Sequence, residues 1–69
     1  MIKRKIIERI VEVLPDIFYE RDTVTRDSFH RELDYRFGAR DSWHPQVNQL
    51  QRDGYIRGVV IFTYLGRKR

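Results

Sequence analysis

The spacing of apolar residues predicts a first amphipathic helix from about Ile2 to Leu14. Apolar side chains in this stretch recur every third or fourth position, which places them on one face of a helix. Pro15 predicts the end of this helix, because the residue before a proline is disfavoured in the helical conformation. The connection that follows, from Asp16 to Asp22, contains an Ile-Phe-Tyr run that is too apolar for a free loop, so we expect Phe18 to pack inward.

A second helix is predicted to begin after Thr25, whose side chain is a good helix N-cap. Val24 and Phe29 have the spacing of a hydrophobic staple, and apolar positions continue at helical spacing to Phe37. Gly38 predicts the end of the helix. The two residues before Thr25 are predicted to form a very short strand.

A third helix is predicted within the stretch from Asp41 to Ile56. Its start is indicated by Asp41 or Ser42 as the N-cap and by Pro45 in the first turn, and its end by Gly54. One face is an apolar stripe that we expect in the core: Trp43, Val47 and Leu50. The opposite face contains no acidic group and consists of Ser42, His44, Pro45, Asn48, Gln49 and Arg52. A helix face with amides, a hydroxyl and an arginine is suited to hydrogen bonding with base edges in a DNA major groove.

The residues after Gly54 have extended character, since positions 59–65 are all β-formers. One interpretation is a hairpin with Tyr55–Arg57 as its first arm, Val60–Leu65 as its second and a turn near Gly58 and Val59. The alternative is one unbroken strand with Gly58 as a bulge.

The order helix, short strand, helix, turn, helix, hairpin resembles the winged helix-turn-helix fold. The resemblance rests on the capped start of the second helix, Thr23–Phe29, and on the Val-x-x-Leu-x-x-x-Gly run that leads into the first hairpin strand, Val47–Ile56. The segment Val47–Ile56 is similar to the end of the recognition helix in regulators of the multiple-antibiotic-resistance-regulator type. It is also similar to winged-helix modules of some restriction endonucleases.

This resemblance implies an α+β fold in which three helices are followed by a short C-terminal β-hairpin wing, with residues 1–69 as one winged-helix domain. It implies that the helix Ser42–Asp53 enters the major groove while the hairpin and tail lie on the DNA backbone. This chain departs from the family at Pro45, where a polar contact residue is common, and in its short wing.

The positions of the charges along the chain are more informative about function than the net charge of +4. Residues 1–39 contain eight basic and eight acidic residues, whereas residues 40–69 contain six basic and two acidic residues. Eleven of the fourteen basic residues are arginine, which favours forked contacts to phosphate or guanine. A solvated surface with a solubilising basic tail explains the charge equally well.

Amide side chains at Asn48 and Gln49 are candidates for paired hydrogen bonds to adenine, and Arg52 or Arg57 for contacts to guanine or phosphate. The complete predicted DNA-binding set is Ser42, His44, Asn48, Gln49, Arg52, Arg57, Arg67, Lys68 and Arg69. The predicted function is sequence-specific binding of double-stranded DNA by a small transcriptional regulator, as a homodimer through the first helix.

Two other functions are open. One is a winged-helix module that binds protein and not nucleic acid, through the broad apolar stripe of the first helix. The other is an RNA or single-strand binder that stacks bases on Tyr55, Phe62 and Tyr64, although core and hairpin packing is the preferred role of these aromatics.

Catalysis has little support in the sequence. There is no cysteine, the two histidines share no metal-ligand motif, and no glycine-rich phosphate loop is present. Both serines lie at predicted helix starts, where capping explains them. We therefore expect no enzyme activity, no cofactor and no metal. Without a long apolar run or a signal peptide, we expect an intracellular, cytoplasmic protein with no membrane contact.

Overall fold

The structure, a computed structural model, describes residues 5–66 and contains three helices and three strands. Their order is α1 (Ile6–Ile17), β1 (Thr23–Thr25), α2 (Arg26–Phe37), α3 (Arg40–Arg52), β2 (Ile56–Arg57) and β3 (Ile61–Tyr64). The predicted α+β class is therefore confirmed. The predicted start of the first helix near Ile2 is wrong, because α1 begins at Ile6 after the N-cap residue Lys5, whose backbone is extended and whose N–H donates to the Glu8 carboxylate at 3.3 Å. The basic tail Arg67–Arg69 lies outside the described residues.

The three strands form one antiparallel sheet in the order β1-β3-β2. Val24 of β1 lies opposite Phe62 of β3, and Ile56 of β2 lies opposite Tyr64. The predicted short strand before α2 is thus an edge strand, with β3 at the centre of the sheet. Because β1 pairs directly with the hairpin, the start of α2 is held beside the hairpin turn.

The C-terminal segment is a hairpin, and the alternative of an unbroken strand with a bulge at Gly58 is wrong. β2 ends at Arg57 and β3 begins at Ile61, with the turn between them. Gly58 in this turn has a φ of 134°, and a Cβ on it would lie 1.9 Å from the carbonyl oxygen of Ile61. The turn therefore needs glycine both for its backbone angle and for its space.

The predicted end of the first helix at Pro15 is wrong, since α1 continues to Ile17. A proline in a helix interior removes one hydrogen bond and costs about 3 kcal/mol relative to alanine. Continuing the helix brings Ile17 and Phe18 into the core, where they are 3% and 0% exposed. Burying two such side chains contributes roughly 3–6 kcal/mol, which is at least as large as the cost of the proline. Phe18 packs inward as predicted.

The predicted start of the third helix is also wrong, because α3 begins at Arg40 after the N-cap residue Ala39. The Ser42 hydroxyl does not cap the helix as an acceptor but donates a 2.7 Å hydrogen bond to the Ala39 carbonyl. Pro45 consequently lies at the sixth helical residue and not in the first turn. The early start follows from Trp43, whose ring is fully buried and whose Nε1 donates to the Gly38 carbonyl at 3.4 Å.

Local signals placed both ends of α2 and the end of α3 correctly. The Thr25 side chain accepts a hydrogen bond from the Ser28 N–H, which confirms the predicted cap of α2. Gly38 follows the end of α2 with a φ of 82°. Gly54 follows α3 with a φ of 83°, and the N–H groups of residues 54 and 55 donate to the carbonyls of residues 51 and 50. These two bonds form a Schellman motif.

One hydrophobic core joins all six elements. Trp43, Phe18 and Phe29 are its largest fully buried side chains. The ring centroids of Phe29 and Phe62 lie 5.1 Å apart in an edge-to-face arrangement. The core comprises Ile10, Leu14, Ile17, Phe18, Val24, Phe29, Leu33, Trp43, Val47, Leu50, Ile56 and Phe62. No polar or charged residue among residues 5–66 is buried.

Candidate nucleic-acid interface

A groove of about 490 Å³ lies between the start of α2, one face of α3 and the turn of the hairpin. We call it the α2–α3 groove. Most of its polar lining is basic or amide. The lining residues are Arg26, Asp27, His30, Arg40, His44, Val47, Asn48, Gln51, Gly58, Val59 and Phe62.

The hairpin turn reaches this groove because it is tied to the first residue of α2. The backbone N–H of Arg26 donates to the carbonyl of Val60 at 2.7 Å. Immediately before it, Thr25 pairs with Ile61 across the sheet. The strand pairing and this single hydrogen bond together hold the turn against the first turn of α2, where Arg26 and Asp27 are exposed.

One side of α3 supplies the second wall of the groove. Residues 40, 44, 48 and 51 follow one another at helical spacing and so lie along the same side of the helix. Val47, which is 5% exposed, forms the apolar floor between them. His44, Asn48 and Gln51 are exposed above it. Side-chain amides and an imidazole are therefore presented next to the hairpin turn.

The groove brings together the only two histidines of the chain. The ring centroids of His30 on α2 and His44 on α3 lie 5.3 Å apart, edge to face. The His30 ring also lies 5.3 Å from the Trp43 ring, which supports it from the core side. Arg40 lies over the same indole at 5.5 Å, and its Nη2 forms a 2.9 Å ion pair with Asp34.

Burial and positive neighbours lower the pKa of His30 below its usual value of 6.5. Desolvation is the largest cause, and the charges of His44, Arg40 and Arg26 act in the same direction. Asp34 opposes them by raising the pKa. The electrostatic environment of His30 therefore disfavours additional positive charge. A negatively charged ligand would relieve this repulsion.

The predicted DNA-binding residues divide into separate groups. His44 and Asn48 line the groove. Gln49 follows His44 by five residues, roughly 140° further around the helix, and its Nε2 donates to the Asp53 carboxylate at 2.9 Å. Ser42 lies roughly 160° from His44 on the helix. Arg52 is exposed one turn after Asn48, outside the groove lining.

The remaining predicted residues come from the hairpin and the tail. Arg57 is exposed on β2 and does not line the groove. Arg67, Lys68 and Arg69 lie outside the described residues.

Sequence reasoning missed five polar residues of the groove: Arg26, Asp27, His30, Arg40 and Gln51. Gln51 had a usable signal, because it lies seven residues after His44 and three after Asn48 on the same helix side. Arg40 was missed because the helix was started too late. Arg26 and His30 belong to another helix, and only the packing of α2 on α3 places them opposite the groove face.

The aromatic residues of the hairpin are used in packing. Phe62 is 2% exposed, and the Tyr64 ring stacks on Phe18 with centroids 5.0 Å apart. Tyr55 is half-buried and packs against the core. The preferred role of these aromatics, packing within the core and hairpin, is thereby confirmed. A base-stacking platform made of these three rings has no support in their placement.

Comparison with known proteins gives no assignment: no protein-family model, curated protein or solved structure matches the chain. Within residues 5–66, no group of three or more histidine, cysteine or carboxylate side chains is placed to hold a metal ion. None of the helices formed by these residues has the length and apolar character needed to cross a bilayer.

Proposed function

We propose that the protein binds double-stranded DNA as a winged helix-turn-helix module. In this proposal α3 enters the major groove, and the hairpin acts as the wing on the DNA backbone. The observation that supports it is the α2–α3 groove, which aligns the polar side of α3, the hairpin turn and the arginines at positions 26 and 40. Sequence-specific binding by a small transcriptional regulator is the role this arrangement favours.

The element order supports the winged-helix assignment. α2 and α3 are joined by only Gly38 and Ala39, as in a helix-turn-helix. The hairpin β2–β3 follows α3 and pairs back onto β1. These features place the third helix and the hairpin turn on one side of the molecule, where one duplex can contact both.

The amide and arginine side chains of the groove match chemical groups of DNA. Asn48 and Gln51 are exposed amides that can pair with the edge of adenine. Arg26 and Arg40 lie on the two walls of the groove and are suited to phosphate oxygens. Arg52, exposed one turn beyond Asn48, extends this surface along α3.

Residues 5–66 contain nine basic and ten acidic residues, so their charges nearly cancel. Electrostatic attraction to DNA would therefore come from one part of the surface and not from the net charge. Acidic residues Glu8, Glu12 and Asp53 line a different surface, next to α1. Positive charge at the groove and negative charge at α1 would orient the protein on the duplex. The basic C-terminal tail, Arg67, Lys68 and Arg69, would add to the affinity.

Fluorescence anisotropy with a labelled duplex and its single strand, measured over a salt series, tests this function. We expect duplex binding to weaken linearly with log salt and to exceed single-strand binding. Arg26→Gln should reduce the slope by about one counterion. Lys5→Gln removes the same charge at the start of α1, away from the groove, and should change the slope less.

A second measurement separates base reading from phosphate contact. Duplexes selected from a random pool should bind more tightly than the unselected pool, and Asn48→Ala should lose roughly 1–3 kcal/mol of that preference. Absence of duplex binding at low salt would refute DNA binding. Equal effects of Arg26→Gln and Lys5→Gln would show that the groove is not the contact surface.

Protein binding is a second candidate, favoured by a hollow of about 430 Å³ between α1 and the end of α3. Ile7, Val11 and Tyr55 give it an apolar floor, while three carboxylates form its polar lining. Such a surface fits a basic amphipathic partner or the predicted homodimer contact through the first helix. Sedimentation equilibrium of the wild type and of Val11→Ser tests the homodimer. A monomeric wild type at high concentration would exclude it.

A further inference from the structure

We propose that the α2–α3 groove contains a binding site for a DNA backbone phosphate, and that phosphate binding there is coupled to proton uptake by the His30 imidazole. The inference rests on the proposed function and specifies how the same site is regulated. The site consists of two imidazole and two guanidinium groups, which belong to Arg26, His30, Arg40 and His44. Its consequence is DNA affinity that increases as the pH falls towards 6.

The first argument is that these groups converge with free hydrogen-bonding capacity. The rings of His30 and His44 lie 5.3 Å apart, and both residues line the groove. Neither imidazole has a hydrogen-bond partner among residues 5–66, and within the same range the Arg26 guanidinium makes no ion pair. Three donors therefore face an open space in which a phosphate oxygen can replace water.

The second argument concerns the charges that face His30 from each packed element. From α2 these are Arg26 and Asp34, and from α3 they are Arg40 and His44. Asp27 on α2 also lines the groove, whereas the hairpin contributes only uncharged residues. Cations thus outnumber carboxylates in this part of the groove once His30 is protonated, and Asp34 is already paired with Arg40.

The sign of the coupling follows from these charges. In the free protein, burial and neighbouring cations lower the pKa of His30 below 6.5, so the ring is neutral at pH 7. A phosphate in the groove adds a negative charge close to the His30 ring and favours its protonated form. By linkage, a ligand that promotes proton uptake binds more tightly when protons are more abundant.

Anisotropy with the duplex at fixed salt and two pH values tests the coupling. One proton taken up per site gives an affinity about four- to tenfold higher at about pH 6.0 than at about pH 7.5. The double variant His30→Gln/His44→Gln contains no histidine, because the chain has only two. Its duplex affinity should be nearly the same at both pH values. Lys5→Gln, with both histidines intact, should keep the wild-type pH dependence.

A second readout does not depend on the folding of a variant. Proton NMR titration of His30 in the wild-type protein, with and without duplex, should show that the pKa of this imidazole rises when DNA binds. Parallel titrations with millimolar inorganic phosphate identify the source of the ligand. A shift with inorganic phosphate but none with duplex would assign the site to a free phosphate and overturn the assignment to DNA.

The outcomes separate this inference from the proposed function. Duplex binding of equal affinity at both pH values would refute proton coupling while leaving DNA binding intact. A duplex affinity that still depends on pH in the histidine-free variant would also refute it. Failure of the wild type to bind duplex at either pH would instead refute the proposed function, and this inference with it.

Discussion

Gly58→Ala is the substitution for which the structure gives the sharpest expectation. A Cβ at this position would lie 1.9 Å from the Ile61 carbonyl oxygen and 3.0 Å from its carbon. Alanine also disfavours the observed φ of 134°. Gly38→Ala is a matched control, because Gly38 has a φ of 82° but no atom within 4 Å of the added Cβ. The pair separates backbone strain from close approach.

The expected magnitudes follow from these two terms. Backbone strain alone costs roughly 1–3 kcal/mol, and it applies to both variants. At Gly58 the Ile61 carbonyl must also move, which disturbs the neighbouring 2.7 Å hydrogen bond from the Arg26 N–H to the Val60 carbonyl. Losing that bond costs about 1 kcal/mol more. We expect Gly58→Ala to lose at least about 1 kcal/mol more stability than Gly38→Ala.

Urea unfolding followed by the fluorescence of Trp43 measures this difference. Trp43 is the only tryptophan, and it is fully buried, so its emission reports loss of the core. A domain of 69 residues has a total stability of roughly 3–10 kcal/mol, so the effect is a large fraction of it. Equal losses in the two variants would refute the close approach at Gly58.

Duplex affinity should fall more in Gly58→Ala than in Gly38→Ala, since Gly58 lines the α2–α3 groove.

Three further substitutions test other parts of the structure. Thr25→Ala should lose roughly 1 kcal/mol of stability because the Ser28 N–H loses its 3.2 Å acceptor, whereas Thr25→Ser should retain most of it. Pro15→Ala should raise the urea midpoint by an amount equivalent to roughly 1–2 kcal/mol, because it restores a helical N–H in α1; a lower midpoint would contradict this. The lowered pKa of His30 means that the unfolded chain binds this proton more readily, so stability should decrease as the pH falls below 6.5 and level off below the folded-state pKa. His30→Gln should flatten that pH profile, and an unchanged profile would assign it to other groups.

Much of the fold could be predicted because its signals are local. Thr25 caps α2, and Gly38 and Gly54 follow the ends of α2 and α3, since each acts on backbone groups within a few residues. The stripe of Trp43, Val47 and Leu50 is fully or almost fully buried, as its helical spacing predicted.

The wrong predictions occur where distant packing outweighs a local rule. Pro15 should have ended α1, but burial of Ile17 and Phe18 favours continuing the helix. Asp41 or Ser42 was predicted as the cap of α3, but the cap is Ala39 and the helix, which buries Trp43, begins at Arg40. In both cases apolar burial is worth more than the hydrogen bond or cap on which the sequence rule depends.

The sequence by itself determined the number and type of the helices, the apolar stripes of α2 and α3 and the polar character of α3. Only the tertiary structure decided which side of α3 faces the hairpin turn, and so grouped His44 and Asn48 with Gln51 while directing Gln49 towards Asp53. It alone brought His30 next to His44. Hydrogen bonds and caps depend on residues a few positions apart, whereas the faces that meet in a groove depend on how whole helices and strands pack against one core.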